Sequence, residues 1–471
     1  MNKNTDLIQG SVARSLVSLS IPIIFAQILQ SAYQFTDAFW VGRLGGAAVA
    51  AVSVSFPITF LMIALGAGFA VAGSTLIAQY VGARNEKMVN HVAAQTLLMV
   101  IVVSIVLGIL GFFLTSPILR LMGVDADVYQ NAKGFMQVSF IGMVFSFGFM
   151  MFQSVMRGIG QVTMPLYIVG GTVLLNFILD PLFIFGYGSF DGLGVMGAAL
   201  ATLGTQSIAT IIGFKILLGG KYGIHLKLHD FQPDYAFIKR SFLLGLPASI
   251  EMSGRALGLT VMTFLIASFG TLTVAAYGVG STLMQFVMIF GMGLSMAIAT
   301  IVGQSIGAGN IKRANDAAQI GALFSFILMT VIGIVSYFFA SQFISIFVPG
   351  DTAVIESGTL FIRIMAFTFG FTGIQFALIG VFRASGNMMA TMVITLISQW
   401  VLQLPLAYFF SKHTGLGISG LWWSFPITNI LTAIITIGWF MRGTWKTIKI
   451  TEEQKAIEHV TEEIILEEGI R

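Results

Sequence analysis

Cysteine is absent from this chain, so it can build neither a disulfide framework nor a thiolate metal site, and no thiol can serve as a nucleophile. Charge is nearly absent as well. Asp, Glu, Lys and Arg make up 9% of the 471 residues, against about a quarter in water-soluble domains, which excludes an ordinary soluble fold. There is no GxxxxGK[ST] loop to cradle a phosphate. The five histidines (His91, His225, His229, His413 and His459) are read as lying in loops or the tail. His225 and His229 stand four apart in a basic stretch, a spacing that by itself more often means solvation than a metal. The expectation is therefore no enzyme, no cofactor and no nucleic-acid partner.

What the chain has in place of charge is apolar length. Runs able to cross a hydrocarbon core of about 30 Å recur along it. They fall near 15–43, 47–80, 92–115, 129–155, 162–188, 193–217, 241–268, 272–305, 316–347, 354–382, 388–410 and 416–441. The first run is too long for a signal-peptide core and lacks a cleavage site, so it is kept as a mature span. The reading is an all-α polytopic membrane protein of twelve transmembrane helices.

The loops divide by charge. One side holds Lys3, Arg14, Arg84, Lys87, Arg157, Lys215, Lys221, Lys227, Lys239, Arg240, Lys312, Arg313, Arg383, Arg442, Lys446 and Lys449, sixteen bases in all. The other side holds four: Arg43, Arg120, Lys133 and Lys412. The positive-inside rule then places both termini in the cytoplasm of a multi-pass plasma-membrane (inner-membrane) protein. The formal net charge of +4 conceals this excess, because residues from Ile450 onward contribute seven acids and two bases. Ile457, Val460, Ile464 and Ile465 fall at helical spacing in that tail, as in a surface amphipathic helix, although a solvated tail has the same composition.

The chain also repeats itself at an offset of 225 residues. Pro22 matches Pro247, Gly45 matches Gly270, and Val49-Ala50-Ala51 matches Val274-Ala275-Ala276. Gln79 matches Gln304, and the loop Gly82-Ala83-Arg84-Asn85 matches Gly307-Ala308-Gly309-Asn310. Farther on the offset drifts, pairing Arg157 with Arg383 and Pro181 with Pro405. Six spans per half is an even number, so both halves enter from the same side as parallel repeats. The division expected is an N-lobe over 1–218, a cytoplasmic linker over 219–240, a C-lobe over 241–445 and an acidic cytoplasmic tail over 446–471.

Three carboxylates sit inside spans, where each costs a few kcal/mol and calls for a function or a partner. Asp37 lies near the far end of the stretch IPIIFAQILQSAYQFTDAFWVGRLG, whose early Pro22 removes a helical hydrogen bond and offers a hinge. Asp180 lies in the fifth span, with Asn176 one turn away on the same face, and Thr202 of the sixth span reaches a similar depth. Two carboxylates, an amide and a hydroxyl at one level suit a proton or a hard cation such as Na⁺. The second-half counterparts of Asp37, Asn176 and Asp180 are Met262, Trp400 and Leu404, so the shared fold does not require these polar groups. Glu251 can neutralise itself against Arg255 one turn on, or handle substrate or a proton. Arg363, in the tenth span, shows no partner. Among 42 Phe and 24 Met, most must face lipid or other helices. Tyr33, Gln34, Phe56, Met150 and Met284 are candidates for lining a cleft, since aromatic faces and thioethers suit varied apolar cations.

These residues carry a resemblance. Over about residues 10–445 the chain resembles the multidrug and toxic compound extrusion (MATE) family, through QSAYQFTDAFWVGRLG, QYVGARN, MRGIGQ, NFILDPLFIFG and GVMGAALAT. The spacing of Pro22 and Asp37, with Asn176, Asp180 and Thr202, is similar to the N-lobe cation site of the DinF-like and archaeal branch. The tenth-span region TFGFTGIQFALIGVFRASG lacks the acid of the NorM branch, whose seventh-helix glutamate also lies about a turn beyond Glu251. The resemblance implies two six-helix lobes and secondary active export of organic cations, by a monomer among membrane lipids, in exchange for H⁺ or Na⁺. The competing readings are a flippase for a lipid-linked precursor and a non-transporting scaffold. A flippase cleft should show several bases at membrane depth, where only Arg255 and Arg363 stand, and a scaffold leaves Asp37 and Asp180 without a purpose.

Overall fold

The computed structural model describes residues 7–188, 190–448 and 450–451. Lipid offers no hydrogen bonds to a backbone, so each apolar run closes its own as a helix. Six long helices form the first half: α1 (Val12–Val41), α2 (Gly46–Gly82), α3 (Glu86–Leu121), α4 (Ala126–Gly158), α5 (Thr163–Phe185) and α6 (Val195–Leu218). A two-stranded hairpin, β1 (Gly186–Tyr187) against β2 (Phe190–Asp191), joins α5 to α6. The second half comprises α7 (Tyr235–Ala267), α8 (Thr271–Gly307), α9 (Ile311–Phe338), α10 (Ala340–Phe347), α11 (Thr352–Ala366), α12 (Phe369–Ala384), α13 (Met388–Leu396), α14 (Leu404–Lys412) and α15 (Gly417–Met441).

Eleven helices among the described residues are long and apolar enough to cross a membrane. The twelfth span is the pair α11 and α12, which meet at a 55° bend. Nothing in the apolar pattern marks that break, because Phe367 and Thr368 between the two helices interrupt neither the run nor its length. Two further corrections concern the same half. The run at 316–347 is two helices, since α9 stops at Phe338 and α10 is a separate short helix. The eleventh span carries a π-helical segment, Ile397–Gln403, between α13 and α14.

The repeat reappears in local geometry. Asn85, Asn310 and Asn387 each cap a helix, accepting the amides of Met88 (3.1 Å), Arg313 (2.9 Å) and Ala390 (3.2 Å). Just before each of these caps the backbone turns left-handed, at φ 56° for Arg84, 72° for Gly309 and 85° for Gly386. Glycine adopts that conformation freely, whereas the arginine in the first half carries a small strain.

The two halves meet in a reciprocal crossing at the ends of α2 and α8. Gln79 Nε2 donates to the carbonyl of Ala384 at 2.8 Å, and its repeat partner Gln304 donates to the carbonyl of Gly158 at 2.9 Å. Each glutamine therefore satisfies a helix-end carbonyl of the opposite half. Gly82 lies against the backbone oxygen of Gln304, and Gly307 against that of Gln79. Thr75 Oγ1 adds a bond to the carbonyl of Arg383 at 3.0 Å. On the same face, the Arg313 guanidinium gathers the carbonyls of Leu7, Gln9 and Gly10 and pins the chain entering α1. Leu16, Leu19 and Ile23 of α1 then pack with Leu294, Ile298 and Ile301 of α8. α1 is continuous through Pro22.

Candidate functional site

Toward the far end of α1 the side chains turn back to the first half, and here the sequence-derived residues assemble. Asp37 lies four residues before the end of α1, Asp180 five before the end of α5, and Thr202 seven into α6. At 1.5 Å per residue all three sit about 6–11 Å inside their helix ends. Asn176 and Asp180 are completely buried. Asn176 Nδ2 donates to Asp180 Oδ1 at 2.9 Å and approaches Thr202 Oγ1 at 3.4 Å. Thr202 Oγ1 in turn donates toward Asp37, 3.3 Å from Oδ2 and 3.5 Å from Oδ1. One chain of polar contacts thus joins α5, α6 and α1.

The site is rich in acceptors and poor in donors. Asp180 Oδ2 and Asn176 Oδ1 are buried and find no donor among the described residues. A buried acceptor without a partner costs about 1–3 kcal/mol, and more when it is charged. Tyr33, one turn before Asp37, is buried, and its hydroxyl finds no partner among the described residues. Every polar atom offered is therefore a hard oxygen, apart from one amide nitrogen. A proton or a small hard cation satisfies such a set, and an anion does not.

The other candidates are scattered. Gln34 and Phe56 are exposed, Met150 is half-buried against the first-half core, and Met284 is buried in the second-half core. At the repeat-related position, Met262 lies in that core, Leu404 packs against it, and Trp400 Nε1 donates to the Gly254 carbonyl at 3.1 Å. The second half thus fills the equivalent place with apolar groups.

Glu251 is buried in α7, and its partner corrects the expectation of a self-contained pair with Arg255. Arg383 Nη2 reaches Glu251 Oε1 at 2.8 Å, whereas Arg255 stands at 3.8 Å. Thr395 Oγ1 adds a contact at 3.3 Å, and Glu251 Oε2 finds no partner among the described residues. Arg383 is not a loop base: it occupies the last turn of α12, and its side chain turns in to Glu251. Removing one member of a buried pair strands the other. Glu251→Gln is therefore expected to lower stability by about 3 kcal/mol, measured by thermal unfolding in detergent. Adding Arg383→Leu should recover part of that loss.

Two smaller corrections follow. Arg363 is not partnerless: its Nε donates to the Tyr337 carbonyl at 3.3 Å and its guanidinium lies 5.5 Å from that ring. His91 lies on α3, not in a loop, with Nε2 3.2 Å from Asp234 Oδ2. The amide of Phe237, with His91 behind it, holds the Asp234 carboxyl below its usual range.

Helices of membrane-spanning length in two repeated halves are the build of a membrane transporter. The chain belongs to the MatE family, whose model matches residues 22–182 and again 247–409, one match in each half. It is 31% identical over 454 residues to the probable multidrug resistance protein YoeA of Bacillus subtilis, covering 94% of this chain and 96% of that one. It is 27% identical over 434 residues to an FAD transporter of Shewanella oneidensis, covering 92% and 95%. The fold is that of a solved MOP superfamily transporter from Pyrococcus furiosus, with TM-score 0.87, 24% identity and coverage of 96% and 100%.

Proposed function

We propose that the chain exports organic cations in exchange for H⁺ or Na⁺, which enters through Asp37, Asn176, Asp180 and Thr202. The observation that carries this reading is the pair of carboxylates held on separate helices with acceptor oxygens left unsatisfied, in one half only. Two carboxylates close together cannot both stay ionised cheaply, so the pair is made to take up a cation. The multidrug relatives supply the cargo class for this reading. With Arg383 set aside, fifteen bases against four favour cytoplasmic termini in the bacterial inner membrane. On that orientation the Gln79–Gln304 crossing closes the cytoplasmic side, and the lobes divide at the 219–240 linker.

A second reading is export of an anionic or lipid-linked amphiphile. It draws on the flavin-dinucleotide relative and on Arg255, which is 37% exposed on α7. Purified protein in vesicles separates the two. Under separately imposed ΔpH and Na⁺ gradients, uphill movement of a fluorescent cation is expected with at least one gradient. Movement of a flavin dinucleotide and not of the cation would replace the first reading with the second.

A further inference from the structure

Past α15 the chain turns back across the seam between the halves. Gly443 is left-handed at φ 72°, and Trp445 tucks against the end of α15, stacked on Phe440 with ring centroids 5.4 Å apart. Trp445 is fully buried in the second-half core. Five residues later Ile450 is buried in the first-half core, whose cluster takes in Phe237 of α7, and Ile448 packs against the same cluster. A strap from Trp445 to Thr451 thus runs from one core to the other.

Ile450 touches both sides of the Gln79–Gln304 crossing. Its side chain covers Gly386, where a Cβ would stand 2.7 Å from Ile450 Cγ2. Gly386 lies in the turn between α12 and α13, two residues past Ala384, whose carbonyl receives Gln79. The Ile450 carbonyl accepts the guanidinium of Arg240, in the second turn of α7. That end of α7 is held by the first half. Gln95 of α3 donates to the carbonyls of Asp230 (2.9 Å) and Gln232 (2.7 Å) and accepts the Asp234 amide (3.0 Å). One helical stretch farther on, Gly245 lies against Phe69 of α2. The strap is therefore fastened to the second half at Trp445 and Gly386, and to the first half through Arg240 and the cluster around Phe237.

We propose that Trp445–Thr451 is a latch on this crossing, with Ile450 the catch that must leave its place before the crossing opens. Parting Gln79 from Ala384 draws the α12–α13 turn away from the start of α7, and Ile450 bridges the two. Five residues reach about 18 Å at full stretch, so a strap buried at both ends has little slack. One end has to let go. Trp445 and Thr451 each bury a polar atom without a partner among the described residues, so apolar area decides which. Ile450 buries less of it than the indole of Trp445, and it is the end that releases. The latch rests on the reading of this crossing as the closed cytoplasmic side, and not on the cargo or the ion. The amphipathic helix read from Ile457, Val460, Ile464 and Ile465 lies outside the described residues, as do Lys3, Lys449 and His459.

The test uses the full-length protein with one reporter thiol at Ala78→Cys, which packs on Gly303 beside the crossing. Ile450→Ser should speed its reaction with a membrane-impermeant thiol reagent at least about tenfold, because closure no longer buries an aliphatic side chain. Arg240→Ala, which removes the bond and leaves the core intact, should speed it by a smaller factor, and Ile450→Val should leave it near the starting rate. The same thiol at Ala407→Cys, fully buried in the second half, reports general loosening. An equal rise at Ala407→Cys would overturn the latch. So would an unchanged rate at Ala78→Cys in both Ile450→Ser and Arg240→Ala. If Gly307→Ala still exposes the thiol in that case, the crossing remains the gate and only the latch falls. Sidedness is read separately, from inside-out vesicles against intact cells. Acceleration confined to intact cells would keep the latch and move the crossing to the outer face.

Discussion

Asp37→Asn and Asp180→Asn are each expected to cut efflux at least about tenfold while leaving expression near wild type. The neutral amide is cheaper in a membrane than the carboxylate it replaces, so insertion should not suffer. What is lost is the charge that a proton or Na⁺ must satisfy. A ligand shifts a conformational equilibrium only through its different affinities for the two states. With one carboxylate gone, the incoming ion has little differential affinity to offer. The cation cargo should still bind, but its affinity should no longer weaken as pH falls or Na⁺ rises. Titrating a fluorescent cation against the purified variants, over mildly acidic to mildly alkaline pH and with added Na⁺, checks both points. If either variant keeps the wild-type ion dependence, coupling lies elsewhere, and Glu251 with its Arg383 partner is the next place to look.

The second large effect is expected at the crossing of α2 and α8. A Cβ at Gly307 would stand 1.8 Å from the backbone oxygen of Gln79, and one at Gly82 would stand 2.0 Å from that of Gln304. Both obstacles are backbone atoms, which no rotamer change can move aside. Gly307→Ala and Gly82→Ala should therefore part the two halves at this face and break the bonds from Gln79 and Gln304. The chain has no cysteine, so Ala78→Cys supplies a unique reporter at a site that is 2% exposed and packed on Gly303. It should react with a membrane-impermeant thiol reagent at least about tenfold faster in either alanine variant than alone, since reaction requires exposure of the thiol. Equal, slow reaction in all three would mean that the helices shift enough to absorb the methyl group.

The spans were legible because lipid imposes a length of about 20 apolar residues on each, whatever they pack against. The acids of the first half were legible for the same reason, since Asp37 and Asp180 interrupt otherwise apolar runs and their depth can be counted along a helix. Their assembly with Asn176 and Thr202 needed only helical spacing and the alternation of spans. The ion pair of Glu251 was not legible. Its partner Arg383 is 132 residues away and looks like one more loop base near a helix end. Only the packing of α12 on α8 brings it to Glu251. The break between Ala366 and Phe369 escaped because no proline marks it, and the π-helical turn at Ile397–Gln403 because Pro405, two residues on, reads only as the repeat partner of Pro181. Gln79 and Gln304 were visible as a matched pair, but their partners are backbone carbonyls, which every sequence has everywhere.

That reciprocal contact has the form of an interface between two identical chains. Gln79 does to one half what Gln304 does to the other, as residues do around a two-fold axis in a homodimer, where each surface meets its own copy. In an unfused dimer every substitution appears twice, so a carboxylate pair in one subunit entails a second pair in its mate. Joining the copies into one polypeptide lifts that constraint. The contact surface can remain symmetric while Asp37 faces a Met262 across the axis and Asp180 a Leu404. A carboxylate pair in one half alone is thus open to a fused chain and closed to a homodimer, and two separately expressed halves would have to be mixed as unlike partners to recover it.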